Sequence, residues 1–250
     1  MRQVFRTRPW VLQKEPGRFI DFFKAQGELL ELSKGSFLSH GSLEGYVALL
    51  VEGLVSFAFV DIHSQQRIFA LILPGRLIGD LDALNPKRPA VIAECLRPSK
   101  VLAVKNHDFR QFMRQSIENM ELHADLSVLK EEAILEGAFA NFTMDLDMRL
   151  RALFLSLLQA EGQYPEIPPE GAPLESLPWH PCPVALSVTE ISRVVAATRS
   201  WVSVKLSEWC EAGLMKKEVH AMSFRAALFS GLHDWMQSPA NVRPTSILVQ

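Results

Sequence analysis

Over the first hundred residues, short apolar runs alternate with turn formers. Residues 46–51, 54–60, 68–73, 90–93 and 101–104 are apolar, most of them rich in Val, Ile or Phe. Gly27, Gly35, Gly41, Gly45, Gly53, Pro74, Gly75 and Gly79 punctuate the region. Runs of this length between turn signals predict strands, and their regular spacing predicts a sandwich, barrel or roll. Near residue 105 the pattern changes. Gly137 is the only Gly or Pro between Asn106 and Glu161. A short helix is predicted over 108–114. Leu122, Leu126, Leu129, Ala133, Gly137 and Ala140 then recur at steps of four, three, four, four and three, one stripe of a continuous helix from 117 to 142.

At ~1.5 Å per residue that helix spans roughly 39 Å, too long for one small domain to cover. A near-heptad stripe needs a facing helix, so the six residues are expected to form a dimer seam. The alternative is a stripe packed on its own domain. Seven of the 15 prolines follow in residues 160–186: Pro165, Pro168, Pro169, Pro173, Pro178, Pro181 and Pro183. Proline resists helix and donates nothing to a strand ladder, so this stretch reads as a linker-like insert at a domain boundary.

After the insert, Ser187 and Glu190 have the spacing of a capping box, which starts a helix at Val188. Ile191, Val194 and Val195 form its buried face. Ala196 and Ala197 make a tight turn, and Thr198 can cap a second helix. Val202, Leu206 and Trp209 or Cys210 face inward on that helix, and Gly213 follows as its C′ residue. Two short helices in this arrangement predict a helix-turn-helix. Arg199, Ser200, Ser203 and Lys205 lie on the outer face of the second helix, where such residues reach base edges or phosphate. Lys216 and Lys217 open a β-wing at 215–224 and are expected to meet phosphate. Ser187, Thr189, Thr198 and Trp201 complete the expected DNA-binding set; Trp201 either packs or touches a thymine methyl. The alternative for this region is a helical hairpin docked on a partner protein.

Composition narrows the picture. Of 250 residues, 48% are hydrophobic and 22% charged, which suits a folded chain. The net charge of −2 excludes binding to nucleic acid through bulk positive charge. Residues 186–225 carry Arg193, Arg199, Lys205, Lys216, Lys217 and Arg225 against Glu190, Glu208, Glu211 and Glu218, a small local excess of cations. Cys95, Cys182 and Cys210 are far apart, which argues against a disulfide framework or a structural metal site. The longest apolar stretch is broken by Glu52 and Gly53, too short for a membrane helix. Arg2, Arg6 and Arg8 are not followed by the apolar run of a signal peptide. A cytoplasmic protein without membrane partners is expected.

In the order of its parts, the chain resembles the CRP/FNR family of bacterial transcription regulators. The resemblance runs from about residue 20 to 225. Its pieces are Lys34-Gly35-Ser36-Phe37-Leu38, Tyr46-Val47-Ala48-Leu49-Leu50-Val51-Glu52-Gly53-Leu54-Val55, Pro74-Gly75 leading into Leu77-Ile78-Gly79-Asp80-Leu81, and Arg88-Pro89-Ala90. Asp145-Leu146-Asp147-Met148-Arg149-Leu150-Arg151 and Thr198-Arg199-Ser200-Trp201-Val202-Ser203 through Glu211-Ala212-Gly213-Leu214 complete them. The resemblance implies an α+β protein with an N-terminal β-roll (a cyclic-nucleotide-binding-like jelly roll, 1–115), a long dimerisation helix (116–143) and a C-terminal winged helix-turn-helix (144–250, with the insert 160–186). An amphipathic helix over 223–237, with Leu228, Leu232 and Trp235 on one face, is expected to pack on that domain. The implied function is a homodimer that binds double-stranded DNA at a two-fold operator, as activator or repressor, with RNA polymerase as a candidate further partner.

The resemblance also implies an effector pocket. Gly79, Asp80 and Leu81 stand at the family's ribose-binding turn, with Asp80 one methylene shorter than the usual Glu. Arg88 and Ala90 keep the phosphate segment, but Pro89 removes a hydroxyl and an N–H. Ile134 and Leu135 stand where the cyclic-AMP receptor has hydroxyls for adenine. Cyclic-AMP affinity is therefore expected to be millimolar or weaker, and the cofactor stays open. An iron–sulfur cluster is not expected, because no cysteine precedes Cys95. Haem needs only one or two axial ligands, for which His40, His63, His107, His123, Cys95 and several Met are candidates. On the second helix Arg199 and Ser203 match the family, whereas Ser200 and Val204 replace its base-reading Glu and Arg, so a different operator is expected. An enzyme on a cupin-like roll would need a His-x-His metal motif that residues 1–105 lack, and no P-loop, Gly-x-Ser-x-Gly or His-Glu-x-x-His is present. A ligand-binding adaptor that has lost DNA recognition is the remaining alternative.

Overall fold

The computed structural model describes residues 5–38, 44–60, 66–84, 91–166, 168–218, 221–232 and 235–236. The chain divides into two compact units, Val11–Ile134 and Met1–Trp10 with Leu135–Gln250. The sequence-based boundaries differ from this division. The boundary at 134/135 falls inside a long helix, α4 (Ile117–Thr143), and the first ten residues group with the C-terminal unit.

The unit Val11–Ile134 is a β-roll flanked by helices. One sheet has the order β1 (Glu28–Leu32), β7 (Ser99–Lys105), β2 (Tyr46–Glu52), β5 (Leu77–Ile78). The other has the order β4 (Gln66–Ile72), β3 (Val55–Val60), β6 (Ile92–Cys95). Strand β2 is covered on both faces. Ala48 and Leu50 point into the roll with Val55, Ile72, Ala93 and Val101. Val47 and Leu49 pack outward on Phe19 and Phe23 of α1 (Gly17–Gln26) and Phe109 and Phe112 of α3 (Asn106–Arg114). Burial on two faces explains why residues 46–51 read as a continuous apolar run rather than an alternation. Gly53 joins β2 to β3 at φ +106, and a Cβ there would lie 2.7 Å from Pro98 O. A short helix α2 (Asp80–Leu84) leaves β5 directly. The helix α1 was not anticipated from sequence.

The other unit is built on α5 (Leu146–Ala160), which is buried along most of its length, including Leu150 and 152–159. Its sheet has the order β8 (Trp179–Pro181), β10 (Met222–Arg225), β9 (Met215–Lys217). The proline-rich insert is therefore not a free linker. It supplies the edge strand β8, where a residue without an N–H is tolerated. Two cations approach the Trp179 ring, Lys216 Nζ at 4.3 Å and Arg225 Cζ at 4.5 Å from its centroid. Arg225 Nη1 also donates to Leu174 O and, at 3.0 Å, to Leu177 O. The expected helix over 223–237 is corrected too. Residues 223–225 belong to β10, and Ala226–Leu232 is a 3-10 run that buries Leu228, Phe229 and Leu232. Phe224 lies 4.5 Å from Phe154, ring centroid to ring centroid, so the sheet keeps these residues from starting a helix.

The N-terminal segment closes this unit. Phe5 N donates to Trp235 O at 2.8 Å, and the Thr7 N–H donates to Glu136 Oε2 at 3.0 Å. Trp10 is buried against α4, where a Cβ on Gly137 would come within 2.6 Å of the indole. Gly137 is thus a close-packing glycine under a tryptophan.

Candidate functional site

The helices α6 (Val188–Val194) and α7 (Arg199–Glu211) form the expected two-helix element. Ser187 Oγ accepts from Glu190 N at 3.2 Å, and Glu190 Oε2 accepts from Ser187 N at 2.8 Å, a complete capping box. Thr198 Oγ1 accepts from Trp201 N at 3.4 Å. At the far end Gly213 has φ +68, and Leu214 N donates to Trp209 O, which satisfies a terminal carbonyl. The turn between the helices places Ala196 at φ +50. A non-glycine residue there costs about 1–2 kcal/mol, offset in part by the lower entropy of its unfolded state. Ala196 is exposed, so Ala196→Gly loses no packing. That variant is expected to gain about 0.5–1 kcal/mol, read as a higher midpoint in thermal unfolding.

Three residues to which the sequence reading gave no role hold this element in place. Asn141 Nδ2 donates to Val194 O at 3.0 Å, and Arg149 Nη1 donates to Val195 O at 2.7 Å, so both carbonyls at the end of α6 have side-chain partners. Asp147 ties α7 to α5: its carboxylate meets Trp209 Nε1 at 3.0 Å and Arg151 Nε at 2.5 Å. The i,i+4 pair Asp147 and Arg151 was the available signal.

Of the expected DNA-binding residues, Ser187, Thr189, Thr198, Arg199, Ser200, Trp201, Ser203, Lys216 and Lys217 are all exposed. Lys205 differs. It is half-buried, and its ammonium lies 2.5 Å from Glu208 Oε2 and 4.0 Å from Asp147 Oδ1, so its charge is met within the chain. Cys210 is exposed rather than packed inward, and Trp209 takes the buried position. Trp201 does not pack either: it is 67% exposed.

In the roll, the structure describes only part of the set expected to form an effector pocket. Arg88, Pro89 and Ala90, like His40 and His63, lie outside the described residues. Gly79 has φ +83 and leads into Asp80, the first residue of α2. Leu81 is half-buried and Ile134 packs on the roll core. Leu135 is 67% exposed. Asp80 is buried in a charged cluster with Glu15, His123 and Lys130. Lys130 Nζ donates to Asp80 Oδ2 at 3.0 Å and to Glu15 Oε1 at 2.7 Å. His123 Nε2 lies 3.1 Å from Asp80 Oδ2, and Leu77 N donates to Glu15 Oε1.

Burial by itself raises the Asp80 pKa, but the Lys130 ammonium and the His123 hydrogen bond outweigh it and hold the carboxyl well below the usual range. Burial raises Glu15, and Lys130 offsets only part of that. Burial lowers Lys130, and the two carboxylates more than reverse it. The Asp80 oxygen at the ribose-binding turn is therefore occupied by Lys130 and His123 of this chain. His123 Nδ1 lies 3.4 Å from Ser127 Oγ, so both its ring nitrogens have partners, and Cys95 sits in the roll core. Among the described residues, no three His, Cys, Asp or Glu side chains are grouped to hold a metal ion.

The dimer stripe is corrected as well. Leu126, Ala133, Gly137 and Ala140 are buried against their own chain, and Leu122 packs on the cluster around Phe19 and Phe112. Leu129 alone of the six is exposed, at 36%. A second stripe runs along the opposite face of α4: Ile117, Met120, Ala124, Val128, Leu135, Phe139 and Phe142, interrupted by Glu131. At 3.6 residues per turn these positions fall within roughly 100° of the helix circumference, about 160° from the buried stripe. All of them are exposed, Ile117 at 76% and Phe142 at 89%.

Comparison with known proteins agrees with this architecture. Residues 29–116 match the sequence model of the cyclic nucleotide-binding domain family. Solved structures with the same fold include FixK2 from Bradyrhizobium japonicum, at 14% identity and TM-score 0.66 over 85% of this chain and 99% of that one. A CRP-family transcriptional regulator from Thermus thermophilus matches at 18% identity and TM-score 0.60, over 81% of this chain and 96% of that one. The c-di-GMP-responsive global regulator CLP from Xanthomonas campestris matches at 14% identity and TM-score 0.58, over 84% and 99%. No curated protein sequence matches the chain. The protein thus has the CRP/FNR fold: a cyclic-nucleotide-binding-like roll, a long helix and a winged helix-turn-helix. No described helix is long and apolar enough to cross a membrane.

Proposed function

We propose that the chain is a sequence-specific DNA-binding transcription regulator that acts as a homodimer and performs no catalysis. The observation that carries this reading is the doubly capped α6–turn–α7 element, with Arg199, Ser200 and Ser203 exposed on the first turns of α7 and Lys216 and Lys217 exposed on the adjoining wing. Helix N-terminal residues in such an element reach base edges in the major groove, while lysines of a wing neutralise phosphate. A second copy covers the apolar face of α4. That face repeats at three and four residues, as a helix pair requires. A two-fold protein reads a two-fold operator with half-sites about one turn of DNA apart.

Arg199→Ala is expected to weaken operator binding by about 1–3 kcal/mol if the guanidinium grips a guanine. A titration against labelled duplex at fixed salt measures this; an unchanged affinity removes Arg199 from the base-reading set.

The roll is read as the sensory part, whose ligand biases the dimer between states of different DNA affinity. The Asp80 cluster supports an effector other than cyclic AMP, because a ribose hydroxyl would have to displace Lys130 or His123 from a buried carboxylate. Calorimetric titration with cyclic AMP is expected to give a millimolar or weaker constant; a micromolar one would overturn this point. A contact with RNA polymerase rests on the resemblance to activators of this fold.

A further inference from the structure

The outer face of α7 has a composition that calls for a particular kind of base. Val202, Leu206 and Trp209 mark the buried side of the helix. Opposite them, the first two turns present Ser200, Ser203 and Val204, with Trp201 beside Val204. Trp201 is 67% exposed and Val204 is 54% exposed. The two lie three residues apart and so adjoin on the helix surface. The only formal charge on these turns that is not met by a neighbouring carboxylate in the described structure is Arg199, at the flank, since Lys205 is held by Glu208 and Asp147. An indole and an isopropyl group left in water at the tip of a helix are poised to be covered. In the major groove the one apolar group that a base offers is the C5 methyl of thymine.

We propose that Trp201 and Val204 read thymine methyl groups, and that these apolar contacts set the sequence preference of α7 together with Arg199. This rests on the DNA-binding reading above and goes further, naming the chemical feature recognised. The surroundings favour DNA over a protein as the occupant of this patch. Arg199 flanks it, the exposed Lys216 and Lys217 lie on the wing of the same unit, and Ser200 and Ser203 add hydroxyls that bond bases or phosphate. The operator half-site is then expected to contain adjacent thymines, with Arg199 supplying one contact to guanine.

The test uses the full chain and the duplex it selects from a random pool. Thymines of the half-site are replaced one at a time by deoxyuridine, which removes only the methyl group. Affinity is expected to fall about four-fold at each contacted thymine, the equivalent of one buried methyl. In Trp201→Ala or Val204→Ser that difference is expected to vanish at the position each residue touches. Both side chains are exposed, so neither change unfolds the protein, which circular dichroism verifies. If the chain selects and binds an operator but uridine substitution leaves affinity unchanged, the proposal fails, the regulator reading stands, and the patch is free for a protein partner. If the methyl effect persists in both variants, other residues read the methyl and the proposal fails again. If no duplex is selected at all, both the regulator reading and this inference fall.

Discussion

The Val128→Asp, Leu135→Glu double variant is expected to sediment as a monomer and to bind an operator no more tightly than it binds arbitrary DNA. Val128 is 55% exposed and Leu135 67% exposed, so neither change disturbs the interior of the single chain. Both lie near the middle of the exposed stripe on α4, where two copies of the helix would face each other and two buried carboxylates per chain would have no partner. Losing one half-site contact forfeits the cooperative use of two. Specific binding in such systems exceeds non-specific binding by about 10³–10⁷, and most of that margin is expected to disappear. Analytical ultracentrifugation measures the first effect and a duplex titration at fixed salt the second. Substitution on the opposite stripe has a different outcome. Ala133→Glu puts a charge into the packing of a single chain and is expected to unfold it rather than split a dimer.

The second large effect is expected at the charged cluster of the roll. Lys130→Met removes the one ammonium between two buried carboxylates, whose side chains are 0% (Glu15) and 6% (Asp80) exposed. Breaking a buried ion pair from one side costs about 3–5 kcal/mol, a large fraction of the stability of any domain. Thermal unfolding is the measurement, and its pH dependence separates electrostatics from packing. In the native protein Asp80 titrates below its unfolded value. Its contribution is therefore complete above the ordinary carboxylate range and is lost as the pH falls below about 4. Glu15 titrates above its unfolded value, so its contribution runs the other way and fades as the pH rises through the raised value. In Lys130→Met both carboxylates lose the ammonium, and only the His123 contact to Asp80 and the Leu77 N–H to Glu15 remain. That variant is expected to gain stability on acidification from pH 7 towards 5 more steeply than the native protein, because protonation neutralises what the ammonium no longer does. A variant with the native pH profile would show that Lys130 contributes packing alone.

The two-helix element was legible because its signals are local. Ser187 with Glu190, Thr198, and Gly213 each act within four residues, and each cap formed where its spacing placed it. The roll was legible for the same reason in outline, although the Phe19 and Phe23 spacing of α1 was missed. What the sequence left ambiguous was long-range. The helix α4 carries apolar residues on two faces, and a 3.6-residue period identifies a stripe without saying what covers it. Leu126, Ala133 and Ala140 make the more regular pattern, yet their partners lie within the same chain; the rougher stripe through Val128 and Leu135 is the exposed one. Gly137 was read as part of the dimer stripe and instead receives Trp10, which is distant in sequence. Asp80 was read against a ligand, whereas its partners, Lys130 and His123, come from a helix some fifty residues on. Lys205 was read as a DNA contact because its position on α7 was visible and its pairing with Asp147 was not. The prolines of 160–186 marked irregular chain correctly but gave no sign that Trp179 docks on the wing.

Selection of bound duplexes from a random pool, with the purified full chain at fixed moderate salt, tests the central claim most directly. It is run with and without a low-molecular-weight cell extract to supply an effector. A homodimeric reader built on α7 predicts enrichment of an inverted repeat whose half-site centres lie about one helical turn apart. Enrichment of a lone half-site, or of no sequence under either condition, would contradict it.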